Sequence, residues 1–121
     1  MGYSSKYFSR EELECHCGKH CMPDGGVSDE LLDVLDTLRE KNGELTLSCA
    51  YRCPEHNAEV GGVDNSEHTQ GLAADVIVPD GMTVDELADD AREIGCGGVG
   101  RYYSSGFVHV DVRPYEADWE G

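Results

Sequence analysis

The order of apolar patterns along this chain predicts an α+β fold, a small, mainly antiparallel sheet with helices packed on it. Two S/T-x-x-E capping boxes, at Ser9 to Glu12 and Thr83 to Glu86, mark helix starts. Short apolar runs at 45–50 and 72–78 have strand length. Two further runs, 99–103 and 107–113, are joined by Ser104-Ser105-Gly106, a connection of hairpin length.

Taken in order, Ser9 caps a short helix that runs into Cys15-His16-Cys17-Gly18-Lys19-His20-Cys21, and Met22-Pro23-Asp24-Gly25-Gly26 continues this as a loop. Ser28 caps a second helix, where Asp29 and Glu30 sit at the positive end and Leu31, Leu32, Val34, Leu35 and Leu38 recur at helical spacing. Gly43 stops it. After the 45–50 strand, Pro54 opens a short helix that Gly61-Gly62 ends. Residues 63–70 are polar and irregular. The 72–78 strand carries one acid, Asp75, and the Thr83 helix presents Val84, Leu87, Ala88, Ala91 and Ile94 on one stripe before Gly95. The tail, 115–121, is acidic and reads as partly ordered by Trp119.

A chain of 121 residues suits one domain, 1–121. Its 39% hydrophobic content, 7% aromatic content and 15 glycines imply a modest core that gains from a staple. A net charge of −16 disfavours nucleic acid and anionic membranes as partners, since like charges repel. Residues 1–10 contain no apolar signal core, and no apolar stretch is long enough to span a bilayer. The expectation is therefore a monomer, cytoplasmic as made, that reaches an extracellular target only after release. The six cysteines, Cys15, Cys17, Cys21, Cys49, Cys53 and Cys96, allow disulfides, but without a signal peptide thiols that bind metal or pack are favoured. Cys96, beside a glycine turn, is expected to pack.

Strand alternation puts Val108, Val110 and Val112 on one side and Phe107, His109, Asp111 and Arg113 on the other. It likewise separates Asp75 from Ala74 and Val76. A charge in an apolar strand must be exposed, paired or bound to a cation. A catalytic zinc takes three His or carboxylate ligands and leaves a place for water. His68, Asp75 and His109 satisfy that count. A solvated loop histidine and a hydrogen-bonded His-x-Asp pair are the plainer alternative, and spacing alone does not decide between them.

The string Ser66-Glu67-His68-Thr69-Gln70-Gly71-Leu72-Ala73-Ala74-Asp75 resembles the S-x-H-x-x-G-x-A-x-D signature of the peptidase M15 family, at all five fixed positions. Ser48-Cys49-Ala50-Tyr51-Arg52 is similar to the family's S-x-Y-R segment, and Gly106-Phe107-Val108-His109-Val110-Asp111 resembles the strand bearing the third ligand. Phe8-Ser9, Pro54-Glu55-His56-Asn57 with Val60-Gly61-Gly62, and Gly97-Gly98-Val99-Gly100 extend the resemblance over nearly the whole chain.

The resemblance implies the fold shared by these peptidases and the zinc domain of hedgehog proteins. It also implies a zinc D-Ala-D-Ala carboxypeptidase or cell-wall endopeptidase acting on the stem or cross-bridge peptide of peptidoglycan. His68, Asp75 and His109 would be the metal ligands, with Arg52 and Ser66 contacting substrate. A guanidinium suits a terminal carboxylate or a developing oxyanion, and a structural ion pair is the plainer alternative for Arg52. Many relatives carry an acid three residues, or a His two residues, before the third ligand. Here those positions are Gly106 and Phe107. Asp111 is the expected base, since i and i+2 share a strand face; the alternative role is to hold His109 or meet Arg113.

Cys15, Cys17, Cys21 and Cys53 suggest a second, structural zinc site, with disulfides involving Cys49 and Cys53 as the other option. The competing functional classes are a non-catalytic zinc module of the same fold and a redox or metal-handling protein.

Overall fold

The computed structural model describes residues 4–15, 21–22, 26–59, 61 and 67–121. The expectations for Ser66, His16, Cys17 and His20 fall outside the described residues. The elements are α1 (Arg10–Leu13), α2 (Asp29–Asn42), β1 (Thr46–Cys49), α3 (Pro54–Glu59), a 3-10 turn (Glu67–Gln70), β2 (Ala73–Ile77), α4 (Val84–Ile94), β3 (Gly98–Tyr102), β4 (Phe107–Asp111) and β5 (Ala117–Glu120).

Local chemistry sets the helix ends. Ser9 and Thr83 each accept a hydrogen bond from the backbone N–H three residues on, and the glutamate side chains at those positions accept one from the cap's own backbone N–H. Ser28 differs from expectation, because its side chain makes no cap bond. Its backbone N–H instead donates to Gly71 O at 2.9 Å, tying the start of α2 to the turn before β2. Gly43 and Gly95 end α2 and α4 at positive φ of 81° and 106°.

The sheet runs β1-β2-β4-β3-β5. The first three pairings are antiparallel and β3–β5 is parallel, so the α+β expectation holds with a mixed sheet. The parallel edge comes from the tail: Ala117 to Glu120 pair directly with β3 as the edge strand, more order than Trp119 alone suggested.

One sheet face is apolar. Ala74, Val76, Val99, Val108 and Val110 are fully buried there with Leu31, Leu35 and Leu38 of α2 and Leu87, Ala88 and Ala91 of α4. Lys41 at the end of α2 reaches Asp90 and Glu93 of α4 at 3.2 and 3.1 Å, linking the two helices at their exposed rim. Cys96 packs in the core as expected, and burial pushes its thiol up to about 11. Among the described residues no helix is long and apolar enough to cross a membrane. With the helices covering one face, the other is free to carry polar side chains.

Two substitutions test this division of labour. Leu35→Ala, at a fully buried position, should cost about 2–5 kcal/mol. Thr83→Ala should cost about 1 kcal/mol through the lost cap. Denaturant unfolding monitored by circular dichroism checks both, and a smaller loss for Leu35 than for Thr83 would contradict the core described.

Candidate metal centre

The polar face is organised by register. Cys49 on β1 pairs with Asp75 on β2, Asp75 with His109 on β4, His109 with Gly100 on β3, and Gly100 with Trp119 on β5. Cross-strand partners project to the same face, so one row of side chains crosses the sheet. His68 is added from the 3-10 turn preceding β2 and is 3% exposed.

Asp75 Oδ1 is the focus. His68 Nε2 lies 3.3 Å from it and His109 Nδ1 lies 3.1 Å from it, with the two rings edge to face at 5.1 Å. Each imidazole uses its other nitrogen elsewhere. His68 Nδ1 donates to Ala50 O at 2.7 Å, and His109 Nε2 donates to Asp111 Oδ2 at 2.8 Å. In neutral rings, the nitrogens facing Asp75 are therefore lone pairs aimed at a carboxylate. That arrangement is repulsive unless a proton or a metal cation lies between the groups.

Without a metal, protons supply that charge. Burial opposes ionisation at Asp75, but hydrogen bonds from His109 and His68 outweigh it and hold the carboxyl at about 2. Burial likewise opposes a charged His68, yet its contacts with Asp75 and Cys49 raise it to about 10. The two nitrogen–oxygen separations also suit a metal. Nitrogen and oxygen donors on a tetrahedral zinc, each about 2.0–2.1 Å from it, lie about 3.3–3.4 Å apart, close to the separations found here.

Cys49 is part of this cluster, which sequence reasoning had grouped with the other cysteines. Ligand-type atoms of Cys49, His68 and Asp75 all lie within 4.8 Å of one another, and His109 joins them through Asp75. The thiol sits 3.8 Å from His68 Nδ1, the nitrogen already committed to Ala50, which places it behind the imidazole rather than between His68 and Asp75. The motif offered a hint, because an S-x-Y-R pattern ending at Arg52 puts Cys49 at the serine position.

Asp111 is fully buried with both oxygens occupied. Oδ1 accepts from the N–H groups of Gly98 and Arg113 and from Arg113 Nε, at 2.9, 3.1 and 2.9 Å. Oδ2 accepts from Arg113 Nη2 at 2.7 Å as well as from His109. Burial would raise its pKa, but the hydrogen bonds from His109 and Arg113 hold it well below the usual carboxylate range. A carboxylate so encased is suited to holding His109, the second of its two expected roles, and poorly placed to accept a proton from substrate water.

Two glycines make this packing possible. A Cβ on Gly98 would collide with the Asp111 carboxylate, and one on Gly100 would stand 2.6 Å from Trp119 Nε1. Trp119 thus lies over Gly100, its ring 5.0 Å from that of His109, and its indole N–H donates to Tyr102 Oη at 2.9 Å. Arg113 covers the indole at 5.1 Å, and Tyr102 stacks on Phe107 at 4.4 Å. An aromatic wall therefore flanks His109.

Arg52 reaches the centre through its backbone, whose N–H donates to His68 O at 3.2 Å. Its Nε is buried with no hydrogen-bond partner among the described residues. Of the second cysteine set, Cys15 and Cys53 are brought together, with sulfurs 3.6 Å apart.

Comparison with known proteins places this geometry in a lineage. Residues 6–111 match the sequence model of the peptidase M15 family. The chain is 30% identical over 103 residues to a probable peptidoglycan L,D-endopeptidase MepK of Haemophilus influenzae, covering 81% of this chain and 54% of the relative. It is 31% identical over 96 residues to the peptidoglycan L,D-endopeptidase MepK of Escherichia coli K12, covering 75% and 52% respectively. It thus spans about half the length of these curated relatives. With its S-x-H-x-x-G-x-A-x-D segment inside the matched region, the chain belongs to the peptidase M15 family.

Proposed function

We propose that this chain is a zinc peptidase that hydrolyses a peptide bond next to a D-amino acid in peptidoglycan stem or cross-bridge peptides, with His68, Asp75 and His109 as metal ligands. The observation that carries the reading is the approach of both imidazole nitrogens to Asp75 Oδ1, at 3.3 and 3.1 Å, with the opposite ring nitrogens already engaged. The relatives' description as L,D-endopeptidases favours an internal bond over release of a terminal D-Ala.

Zinc at this site would supply Lewis-acid polarisation of the scissile carbonyl and an activated water. The protein's own groups do the positioning. Ala50 O fixes the tautomer of His68 so that Nε2 presents its lone pair towards Asp75 and a metal, and Asp111 does the same for Nδ1 of His109. Arg113 neutralises Asp111 and keeps it in place. Arg52 is the proposed contact for a substrate carboxylate or carbonyl, consistent with its unused Nε, and Ser66 is a further substrate contact proposed from the motif. The substrate is a cell-wall peptide, and the chain acts on it as a monomer.

A non-catalytic zinc module is the second reading, favoured by Asp111 being fully engaged and by Gly106 and Phe107 standing where relatives carry an acid or a His. Incubating the zinc-loaded chain with purified muropeptides and reading the products by mass spectrometry separates the two. Cross-linked dimers split into two stem peptides indicate an endopeptidase, and loss of a single alanine indicates a carboxypeptidase. Intact substrate with a full complement of zinc would support the binding module. Asp75→Ala should abolish cleavage and lower zinc content together; cleavage surviving in that variant would refute the ligand assignment.

The pH dependence of metal binding has a definite sign. His68 is protonated up to about 10 in the metal-free protein, so each zinc must displace its proton. Between neutral pH and about 9, apparent zinc affinity should rise about tenfold per pH unit per proton released. Calorimetry in buffers of different ionisation enthalpy measures that proton, and pH-independent affinity would contradict the raised value.

Asp111→Asn should weaken zinc binding by about 10- to 100-fold through loss of the His109 support. Gly98→Ala, which displaces the same carboxylate, should act in the same direction. Chelator competition reads both, and unchanged affinity in both would remove the positioning role.

A further inference from the structure

Trp119 is the chain's single tryptophan, and its place is set by more than the tail needs. β5 is already fixed at both ends: Ala117 N–H donates to Gly97 O and Gly121 N–H donates to Arg101 O, each at 2.9 Å. Arg92 clamps it again, with Nη2 donating to Ala117 O at 3.2 Å and to Asp118 Oδ1 at 2.8 Å, while Nη1 donates to Cys96 O at 2.6 Å. Holding the tail therefore leaves the position of the indole unexplained. It lies over Gly100 with its ring 5.0 Å from that of His109, is only partly buried, and donates its N–H to Tyr102 Oη at 2.9 Å. With the polar atom of the ring spent on Tyr102, what the indole offers beside the candidate metal centre is carbon surface.

We propose that Trp119, backed by Tyr102, is the wall of the substrate cleft against which the aliphatic side chain of a residue adjoining the scissile bond packs. This rests on the reading above, in that a peptide is taken to lie at the centre formed by His68, Asp75 and His109. The row Cys49, Asp75, His109, Gly100, Trp119 crosses the sheet at about 4.8 Å per strand. His109 and Trp119 are then two strands, roughly 10 Å, apart at the backbone. The missing side chain at Gly100 lets the indole return towards the imidazole. An extended peptide advances about 3.3–3.6 Å per residue, so the neighbour of a residue whose carbonyl is at the centre comes within reach of the ring. Arg52 enters from the other end of the row, after β1, tied to His68 by its backbone. Arg113, bonded to Asp111 and 5.1 Å from the indole, links the wall to the group that supports His109. The cleft so built is polar on the β1 side and apolar on the β5 side, which gives a peptide one direction across the strands.

A single tryptophan makes the test direct, and the net charge of −16 calls for a neutral quencher. Zinc-loaded chain is mixed with cross-linked muropeptide by stopped flow, acrylamide quenching of Trp119 is read before products accumulate, and cleavage is read in the same mixture by mass spectrometry. Muropeptide should shift the emission to the blue and lower the quenching, whereas a tryptophan that only anchors the tail stays equally accessible. Trp119→Ser should weaken binding of a fluorescein-labelled muropeptide, followed by anisotropy, by about tenfold at unchanged zinc content, and Trp119→Phe should recover most of that loss. If Trp119→Ser fails to fold, quenching of the unaltered chain decides. Cleavage with unchanged quenching, or equal affinity in the serine variant, would overturn the wall and leave the peptidase reading intact. A protected indole with no new peptide termini would remove the peptidase reading and keep the wall as part of a peptide-binding module. Neither protection nor cleavage would overturn both.

Discussion

Asp75 Oδ1 faces two imidazole nitrogens whose rings have already spent their other nitrogens on Ala50 and Asp111. Positive charge has to enter that triangle, either as protons, which raise His68 and lower Asp75, or as a divalent ion. Much of the polar sheet face is arranged around this need. β2 must pair with β4 in the register that sets Asp75 opposite His109, because slipping either strand by one residue would turn its polar side chain into the apolar core. The valines between them, Val76, Val108 and Val110, anchor that register by their own burial. The hydrophobic core and the candidate centre are thus two sides of one strand pairing.

A second layer supports the first. Asp111 is a buried charge in its own right, and Arg113 two residues along the chain pairs with it. An isolated carboxylate there would be costly, while one accepting from a guanidinium, two backbone N–H groups and an imidazole is satisfied. Gly98 gives the carboxylate its space, and Gly100 does so for the indole of Trp119. The Gly-Val-Gly pattern of β3 therefore has a division of roles: Val99 faces the core, and the glycines on either side leave room for groups that hold or flank His109.

Much of this could be read from one sequence, and what could not has identifiable causes. The alternation in 107–113 assigned Val108 and Val110 to the core and His109 and Asp111 to the opposite face, because strand periodicity is local information. The capping boxes at Ser9 and Thr83 were equally legible. Ser28 was not, since its backbone goes to Gly71, a partner 43 residues away that no local pattern reveals. Cys49 escaped for the same kind of reason. Its place beside His68 depends on the β1–β2 register and an irregularity between Leu47 and Cys49. Trp119 looked like a tail anchor because β5 is only four residues long and gains its order from β3. Asp111 showed its strand face in the sequence but not its burial, which requires Gly98 from the neighbouring strand.

The same long-range ties explain how the loop segments hold their ligands. His68 comes from a 3-10 turn, and Arg52 from the stretch between β1 and α3, neither stiff on its own. They are fastened to one another by the bond from Arg52 N–H to His68 O and to the end of β1 by the bond from His68 Nδ1 to Ala50 O. Tyr51, beside them, is bonded to Leu13 at the end of α1, and Cys53 touches Cys15 just beyond it. A continuous chain of contacts therefore runs from the N-terminal segment to the imidazole of His68. Positional precision at the candidate centre then depends on how firmly residues 8–15 are held, even though none of them belongs to it.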